Sequence, residues 1–278
     1  MHTESKRRVS RPWLNGIRSA AFCSLSLAVI SATAGQAPTT PPPPTPNSTA
    51  ARAAPPSTTQ GKAAAPFDMT GYWVSVVTED WMYRMVTPPK GDVTSLPMNP
   101  EGRKVTNEWN PAEDGSCKAY GAAALMRMPT RLRVSWESDN VLKVETDAGQ
   151  QTRRFNFNMP APAGNAKSLQ GYSAAVWQLP LRSTLRGDPP PTSGASLQVL
   201  TTDLVAGWLR RNGVPYSTNA KVTEFYDQFK LENGEEWLAV TTLVDDPTYL
   251  AQQYVTSTHF RREKDGSKWA PAPCKPIQ

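Results

Sequence analysis

The feature that most restricts the fold is a series of short strand patterns joined by turn signals. At 131–136 and 141–146, apolar and polar residues alternate, which is the two-residue period of a strand with one buried face. The dipeptides Asn212-Gly213, Asn233-Gly234 and Asp265-Gly266 are strong turn signals between further segments of this kind. Together they predict about nine or ten strands at hairpin spacing, in an antiparallel up-and-down meander.

A meander of this length has two unpaired edges unless it closes on itself. We therefore predict a mainly β fold that closes into a barrel or half-barrel, with one or two short helices. One helix is expected to begin at Asn99-Pro100-Glu101, because Asn caps helices, Pro suits the first helical position and an acid follows. The apolar stretch 81–86 is interpreted as a further strand.

The first 34 residues have the pattern of a secretory signal peptide. A basic start is followed by the apolar run 20–34, which ends in Ala32-Thr33-Ala34, and the run is short for a membrane span. The prediction is a periplasmic or secreted protein without a membrane span after cleavage. The alternative is an uncleaved N-terminal anchor.

Residues 35–66 are predicted to be a disordered linker rich in Pro, Ala and Thr, because they hold nine prolines and no large apolar residue. That leaves 67–278 as a single β-barrel-like domain. Residues 1–66 carry seven basic residues and one acidic residue, so the formal net charge of +6 belongs entirely to this N-terminal part. A domain without basic excess argues against nucleic acid as a partner.

Two cysteines, Cys117 and Cys274, remain after the predicted cleavage. In an exported protein the expected outcome is a disulfide between them, and the chain-entropy model gives it a stabilisation of about 4–5 kcal/mol. Neither cysteine has the spacing of a zinc or redox motif, and the domain has one histidine, so no metal and no cofactor are predicted.

The opening Gly71-Tyr72-Trp73 resembles the Gly-x-Trp motif of lipocalins and the wider calycins. In that group an Arg from the last strand stacks on the Trp, and the resemblance offers Arg261 or Arg262 for this role. A second resemblance, to a family of uncharacterised exported bacterial β-proteins, covers 67–274. It rests on the segments 212–217, 222–226, 237–242 and 245–249. Both resemblances imply a lipocalin-like barrel and export, and neither implies an activity.

The density of aromatic residues is the best indication of a ligand site. Pockets are mostly apolar with a few placed polar groups, and Glu224 and Tyr226 share one face of a predicted strand. The alternative is that these aromatic residues are ordinary core. The predicted ligand-binding residues are Trp73, Arg84, Trp136, Trp177, Glu224 and Tyr226.

The sequence leaves three functions open. The first is non-catalytic binding of a small apolar or amphipathic ligand in the barrel. The second is a structural envelope module whose barrel is filled by its own side chains. The third is an isomerase-type or hydrolase-type enzyme that uses Glu224 or His259 as a base. No catalytic residue is assigned, and the sequence does not indicate an oligomeric state.

Overall fold

The computed structural model describes residues 60–113, 117–179 and 194–275. The predicted signal peptide and residues 35–59 of the predicted linker lie outside these ranges. The described helices are α1 Trp81–Arg84, α2 Pro100–Glu108 and α3 Ala122–Leu125. The described strands are β1 Gly71–Val76, β2 Arg131–Ser138, β3 Val141–Thr146, β4 Ala148–Gly149, β5 Thr152–Phe157, β6 Tyr172–Gln178, β7 Ser196–Thr202, β8 Gly207–Arg210, β9 Val214–Tyr216, β10 Lys221–Lys230, β11 Glu236–Asp245, β12 Tyr254–Glu263 and β13 Ala272–Pro273. None of the helices in these ranges has the length and apolarity that a membrane crossing requires.

Nine strands form a closed barrel in the order β1-β12-β11-β10-β7-β6-β5-β3-β2, which returns to β1. Every neighbouring pair is antiparallel except β5 and β6. An odd number of strands cannot alternate in direction all the way round a ring, so at least one pair must be parallel. Because β5 and β6 run in the same direction, residues 158–171, which connect them, return along the length of the barrel. The predicted mainly β barrel is confirmed, with this one parallel pair as the departure from a meander.

Two groups of buried residues fill and close the barrel. The larger one includes the barrel-lining residues Trp73, Phe155, Leu197 and Phe260 and continues into the segment around α3. The smaller one packs the ends of β10, β11 and β12 against β8, β9, α3 and the segment before α2. Its members from the barrel strands are Val222, Val244 and Tyr254. These elements outside the barrel close one of its ends.

The helix predicted at Asn99 is present. The Asn99 side chain accepts a hydrogen bond of 2.9 Å from the Gly102 main-chain N–H, and Pro100 is the first helical residue. The strand predicted at 81–86 was wrong, because Trp81–Arg84 forms the single-turn helix α1. Both edges of β1 are already taken by β12 and β2, so the barrel offers this segment no strand to pair with.

The chain enters the barrel through residues 60–70, which we call the N-terminal strap. The Gln60 side chain accepts a hydrogen bond of 2.7 Å from the Trp177 main-chain N–H, and the Gly61 carbonyl accepts one of 2.9 Å from the Trp177 indole. Gly61 has a φ of 84° and lies where an added Cβ would be 2.4 Å from the Asp139 carbonyl oxygen. The sequence predicts residues 60–66 as part of the linker. In the structure Gln60 and Gly61 bond to Trp177, and Ala64 and Ala65 pack against the core, which composition does not reveal.

The disulfide predicted between Cys117 and Cys274 is present, with the two Cα atoms 5.6 Å apart. It joins the segment before α3 to the C-terminal tail, across 157 residues of sequence. The tail also pairs with the barrel side, because Ala272 donates a main-chain hydrogen bond of 2.8 Å to the Asp147 carbonyl and β13 runs parallel to β4.

We predict that replacing both cysteines by serine lowers the free energy of unfolding by about 4–5 kcal/mol, because a long loop in the unfolded chain is then no longer closed. Urea denaturation of the oxidised wild type and of the variant measures this difference. As a control, reduced wild type should match the variant. A variant as stable as the oxidised protein would contradict the prediction.

Candidate functional site

Trp73 is fully buried inside the barrel beneath Arg262. The guanidinium carbon of Arg262 lies 4.2 Å from the centre of the indole ring, a distance at which the cation and the ring attract each other. The same guanidinium donates hydrogen bonds to the carbonyls of Asp68 and Thr70, and the Trp73 indole donates one of 2.9 Å to the carbonyl of Met69. The strands β1 and β12 and the N-terminal strap are thus joined at one point.

Of the two arginines that the sequence offered for this position, the structure places Arg262 over the indole. Arg261 is on the opposite face of β12 and donates a hydrogen bond of 3.2 Å to Glu235 on the outside of the barrel. The difference follows from the two-residue period of a strand, which sends neighbouring side chains to opposite faces.

Glu224 and Tyr226 lie together inside the barrel, as their shared face predicted, and both contact Arg153. The Arg153 guanidinium forms a two-pronged ion pair with Glu224, with N–O distances of 2.8 and 2.6 Å. It also donates to the Thr201 hydroxyl at 3.0 Å and to the Tyr226 hydroxyl at 3.4 Å. Ser173 extends the network through a hydrogen bond of 2.8 Å with Thr201. Arg153 and Glu224 are both fully buried.

The charges of this network are coupled. Burial by itself lowers the pKa of Arg153, but the adjacent Glu224 carboxylate and Tyr226 hydroxyl more than offset it, so this pKa lies above its ordinary value. Burial raises the pKa of Tyr226 well above its usual range, and the Glu224 carboxylate raises it further. Arg153 therefore stays cationic and Tyr226 stays protonated across the physiological pH range.

The barrel interior around these groups is filled. Trp73, Phe155, Glu224, Tyr226 and Phe260 have no exposed surface. Neighbouring side chains therefore cover these five residues on all sides. Three of the predicted ligand-binding residues, Trp73, Glu224 and Tyr226, therefore contact neighbouring side chains where a ligand inside the barrel would have to lie.

Trp136 and Trp177 lie at the end of the barrel that the strap crosses. Phe157 packs between them, with ring centres 5.6 Å from Trp136 and 5.5 Å from Trp177. Phe67 of the strap meets the edge of Trp177 at 5.3 Å. Trp177 is buried under the strap, whereas Trp136 is half-buried.

A depression of about 590 Å³ opens between the strap and β2, and Trp136 forms part of its wall. Its other lining residues supply one apolar ring, one methyl group, one ammonium group, one carboxylate and two hydroxyls. They are Lys62, Ala65, Phe67, Asp68, Thr70 and Ser135. We call it the mouth depression. Other depressions on the described surface have volumes of about 410, 500 and 670 Å³, so volume does not distinguish this one. Its two aromatic rings, Trp136 and Phe67, do.

Arg84 is not near this depression. It is buried and donates hydrogen bonds to the main-chain carbonyls of Arg127 (3.0 Å) and Val76 (2.7 Å). Burial, and next the nearby Arg127 guanidinium, lower the pKa of Arg84. The structure therefore separates Arg84 from the other predicted site residues and gives it the role of holding α1 against the barrel.

His259 lies on the outside of the barrel, where its Nδ1 is 2.8 Å from a carboxylate oxygen of Glu79.

Asp245 and Asp246 are consecutive acids at the end of β11, and only Asp246 is buried. It accepts hydrogen bonds from the Ser217 main chain and hydroxyl, at 2.6 and 2.7 Å, and so ties the end of β11 to the turn after β9. Among the described residues, no three His, Cys, Asp or Glu side chains are grouped to hold a metal ion.

Sequence reasoning missed Arg153, Lys62 and Phe67. A signal for Arg153 was present, because it shares a strand face with Phe155 and Phe157, and an inward Arg needs an inward acid such as Glu224. Lys62 and Phe67 gave no such signal. Lys62 lies in a segment whose composition resembles the linker, and Phe67 directly follows that segment.

Comparison with known proteins gave no relative for this chain. No family model matches it, and neither a curated protein nor a solved structure is significantly similar to it.

We predict that Glu224→Leu lowers the free energy of unfolding by about 3–5 kcal/mol, because it leaves the Arg153 charge buried without its partner. The double variant Arg153→Met with Glu224→Leu should recover most of this loss, since it removes both charges at similar volume. Urea denaturation of Arg153→Met, Glu224→Leu and the double variant measures the coupling free energy between the two side chains.

Tyr226→Phe is the matched control inside the same network. It removes the hydroxyl that contacts Arg153 and Glu224 but leaves both charges paired, so it should lower the free energy of unfolding by only about 0.5–1.5 kcal/mol. If the effects of the two charge-removing substitutions were simply additive, the two charges would not be coupled as the geometry indicates.

Proposed function

We propose that this chain is a non-catalytic, exported binding module that holds a small amphipathic anion in the mouth depression. The observation that carries the proposal is the contrast between a filled barrel interior and a partly aromatic depression at its mouth. The barrel then acts as a rigid support for a site at its end. This differs from the first sequence hypothesis, which placed the ligand inside the barrel.

The lining of the mouth depression sets the class of ligand. Half-buried Trp136 and Phe67 offer apolar ring surface, and exposed Lys62 supplies an ammonium group in the same lining. The hydroxyls of Ser135 and Thr70 can donate hydrogen bonds. The Asp68 carboxylate also lines the depression and balances the Lys62 charge, so the anionic group of the ligand is placed at the Lys62 side. A flat apolar group that carries a carboxylate, sulfonate or phosphate then matches the rings, the ammonium and the hydroxyls.

The contact between Arg262 and Trp73 supports the proposed relation to lipocalins and wider calycins, which the sequence motif alone suggested. That group is expected to place a last-strand Arg over the Trp of its Gly-x-Trp opening. Export rests on the leader pattern, and a disulfide between Cys117 and Cys274 is in keeping with an oxidising compartment.

The geometry disfavours the two candidate bases of the enzyme hypothesis. Both carboxylate oxygens of Glu224 face Arg153 in a fully buried environment, so the group has no access to a substrate. His259 lies outside the barrel against Glu79, away from the mouth depression. The filled interior also fits the second hypothesis, a structural envelope module, and the binding experiment separates it from ours.

We predict that the aromatic sulfonate 8-anilinonaphthalene-1-sulfonate binds the mouth depression. Trp136→Ala and Lys62→Ala should each weaken its binding about 3- to 10-fold, because each removes one of the contacts with the probe. Fluorescence titration measures this. Trp81→Ala is the matched control, since Trp81 is an exposed tryptophan that does not line this depression.

Native mass spectrometry of protein gently purified from its own periplasm is the second measurement. A retained small anion that is lost in Trp136→Ala would support binding. A clean apo mass, together with probe binding that neither substitution at the mouth changes, would reject the binding proposal and favour the structural module.

A further inference from the structure

Two of the turn dipeptides in the sequence, Asn212-Gly213 and Asn233-Gly234, carry a reactivity that neither the barrel nor the binding proposal uses. The side chain of an asparagine is an amide, and the main-chain nitrogen of the residue that follows can attack its carbonyl carbon. Glycine hinders this attack least, because it has no side chain and its backbone adopts many conformations. Asparagine is accordingly one of the thermolabile residues, and it is most reactive before glycine.

The two dipeptides occupy equivalent positions in two hairpin loops. One loop joins β8 to β9, and its ends are the paired residues Arg210 and Val214. The other joins β10 to β11, and its ends are tied by a hydrogen bond of 2.9 Å from the Leu231 main-chain N–H to the Glu235 carbonyl. Each loop contains three residues and ends in the glycine, with φ values of 77° and 85°. The two asparagines thus have a similar local backbone and differ in what surrounds them.

Asn212 is fully buried, and its side-chain amide is held in place. The amide nitrogen donates hydrogen bonds to the main-chain carbonyls of Pro89 (2.9 Å) and Asp92 (2.8 Å). Trp109 occupies the space beside Gly213. The amide nitrogen is the group that would have to leave, and both of its N–H groups are engaged where solvent is absent. Asn212 can therefore react only after the loop opens locally.

Asn233 has the opposite surroundings, because it and the flanking residues Glu232 and Gly234 are exposed. Its side-chain oxygen accepts a hydrogen bond of 3.0 Å from the Glu235 main-chain N–H, which draws electrons from the carbonyl carbon. Within the described part of the chain, no group accepts a hydrogen bond from its amide nitrogen. The Gly234 main-chain N–H donates a hydrogen bond of 2.9 Å to the Leu231 carbonyl, and water can replace this bond because the turn is exposed.

We propose that Asn233 is a site of spontaneous deamidation and that the fold protects Asn212 from the same reaction. The Gly234 nitrogen loses its proton and forms a bond to the side-chain carbonyl carbon of Asn233. The bond from that carbon to the amide nitrogen breaks, and the nitrogen takes up a proton and leaves as ammonia. A water molecule then opens the resulting five-membered imide at either of its two carbonyls. The products are aspartate and isoaspartate, and the sum of the steps consumes one water and releases one ammonia.

Both products change the loop between β10 and β11. Each adds a carboxylate to a segment that already carries Glu232, Glu235 and Glu236. The aspartyl product keeps the oxygen that accepts the hydrogen bond from the Glu235 N–H. The isoaspartyl product instead carries the main chain through the former side chain and lengthens the loop by one carbon. Because hairpin register depends on loop length, we expect the isoaspartyl form to loosen the adjoining ends of β10 and β11.

Incubation of the folded protein at neutral and mildly alkaline pH, followed by peptide mapping with mass spectrometry, tests the proposal. Conversion at Asn233 should be at least about 10-fold faster than at Asn212, because Asn212 must first become exposed by local opening. Conversion at Asn233 should also rise with pH, since the attacking nitrogen has to lose a proton. Asn233→Gln is the control variant, and its loop should stay unmodified because the longer side chain would have to close a larger ring.

The same incubation in guanidinium chloride and reductant, with the chain unfolded, separates the effect of structure from that of local sequence. The two Asn-Gly dipeptides should then react at similar rates. Equal rates in the folded protein would overturn the proposal, as would a folded protein whose Asn233 stays intact while the unfolded chain reacts. A preference for Asn233 that persists in the unfolded chain would also overturn it, because burial would then not cause the difference.

Discussion

Closure of the strand ring is the constraint on which the rest of the structure depends. Every barrel strand has a hydrogen-bonded neighbour on both sides, so additional segments cannot join the sheet and must pack on its ends or its outer face. This is why 81–86, with good strand residues, forms a helix, and why the strap crosses the barrel mouth instead of extending the sheet. Nine strands can close only with a parallel pair, which explains the long connection at 158–171.

A closed ring fixes an interior volume that side chains must fill, and here aromatic rings and one ion pair fill it. Arg153 and Glu224 come from β5 and β10, far apart in sequence, and form an ion pair where solvent is absent. Such a pair is weak evidence for net stability, because desolvation opposes the attraction. Its geometric demand is specific, however: a register shift of one residue in β5 or β10 would turn one charge outward and leave the other buried alone.

The sequence predicted those parts of the fold that are encoded locally. Alternation at 131–136 and 141–146, the cap at Asn99 and the turn dipeptides each depend on a few neighbouring residues. The pairing of Cys117 with Cys274 followed because only one pairing was possible. Local patterns did not predict three other features: the strap, the helix at 81–84 and the partner of Glu224. Each is decided by contacts between segments distant in sequence, such as Gln60 with Trp177 or Arg84 with Arg127.

The same reasoning explains why the candidate ligand residues are dispersed in the structure. Composition identifies aromatic residues but not which of them a closed barrel covers. Trp73 lies beneath Arg262 and Trp177 beneath the strap, while Trp136 keeps part of its ring open because the depression lies between the strap and β2. If the mouth depression holds a ligand as proposed, the strap forms one wall of its site, and the segment that leads into the barrel then helps to select what binds there.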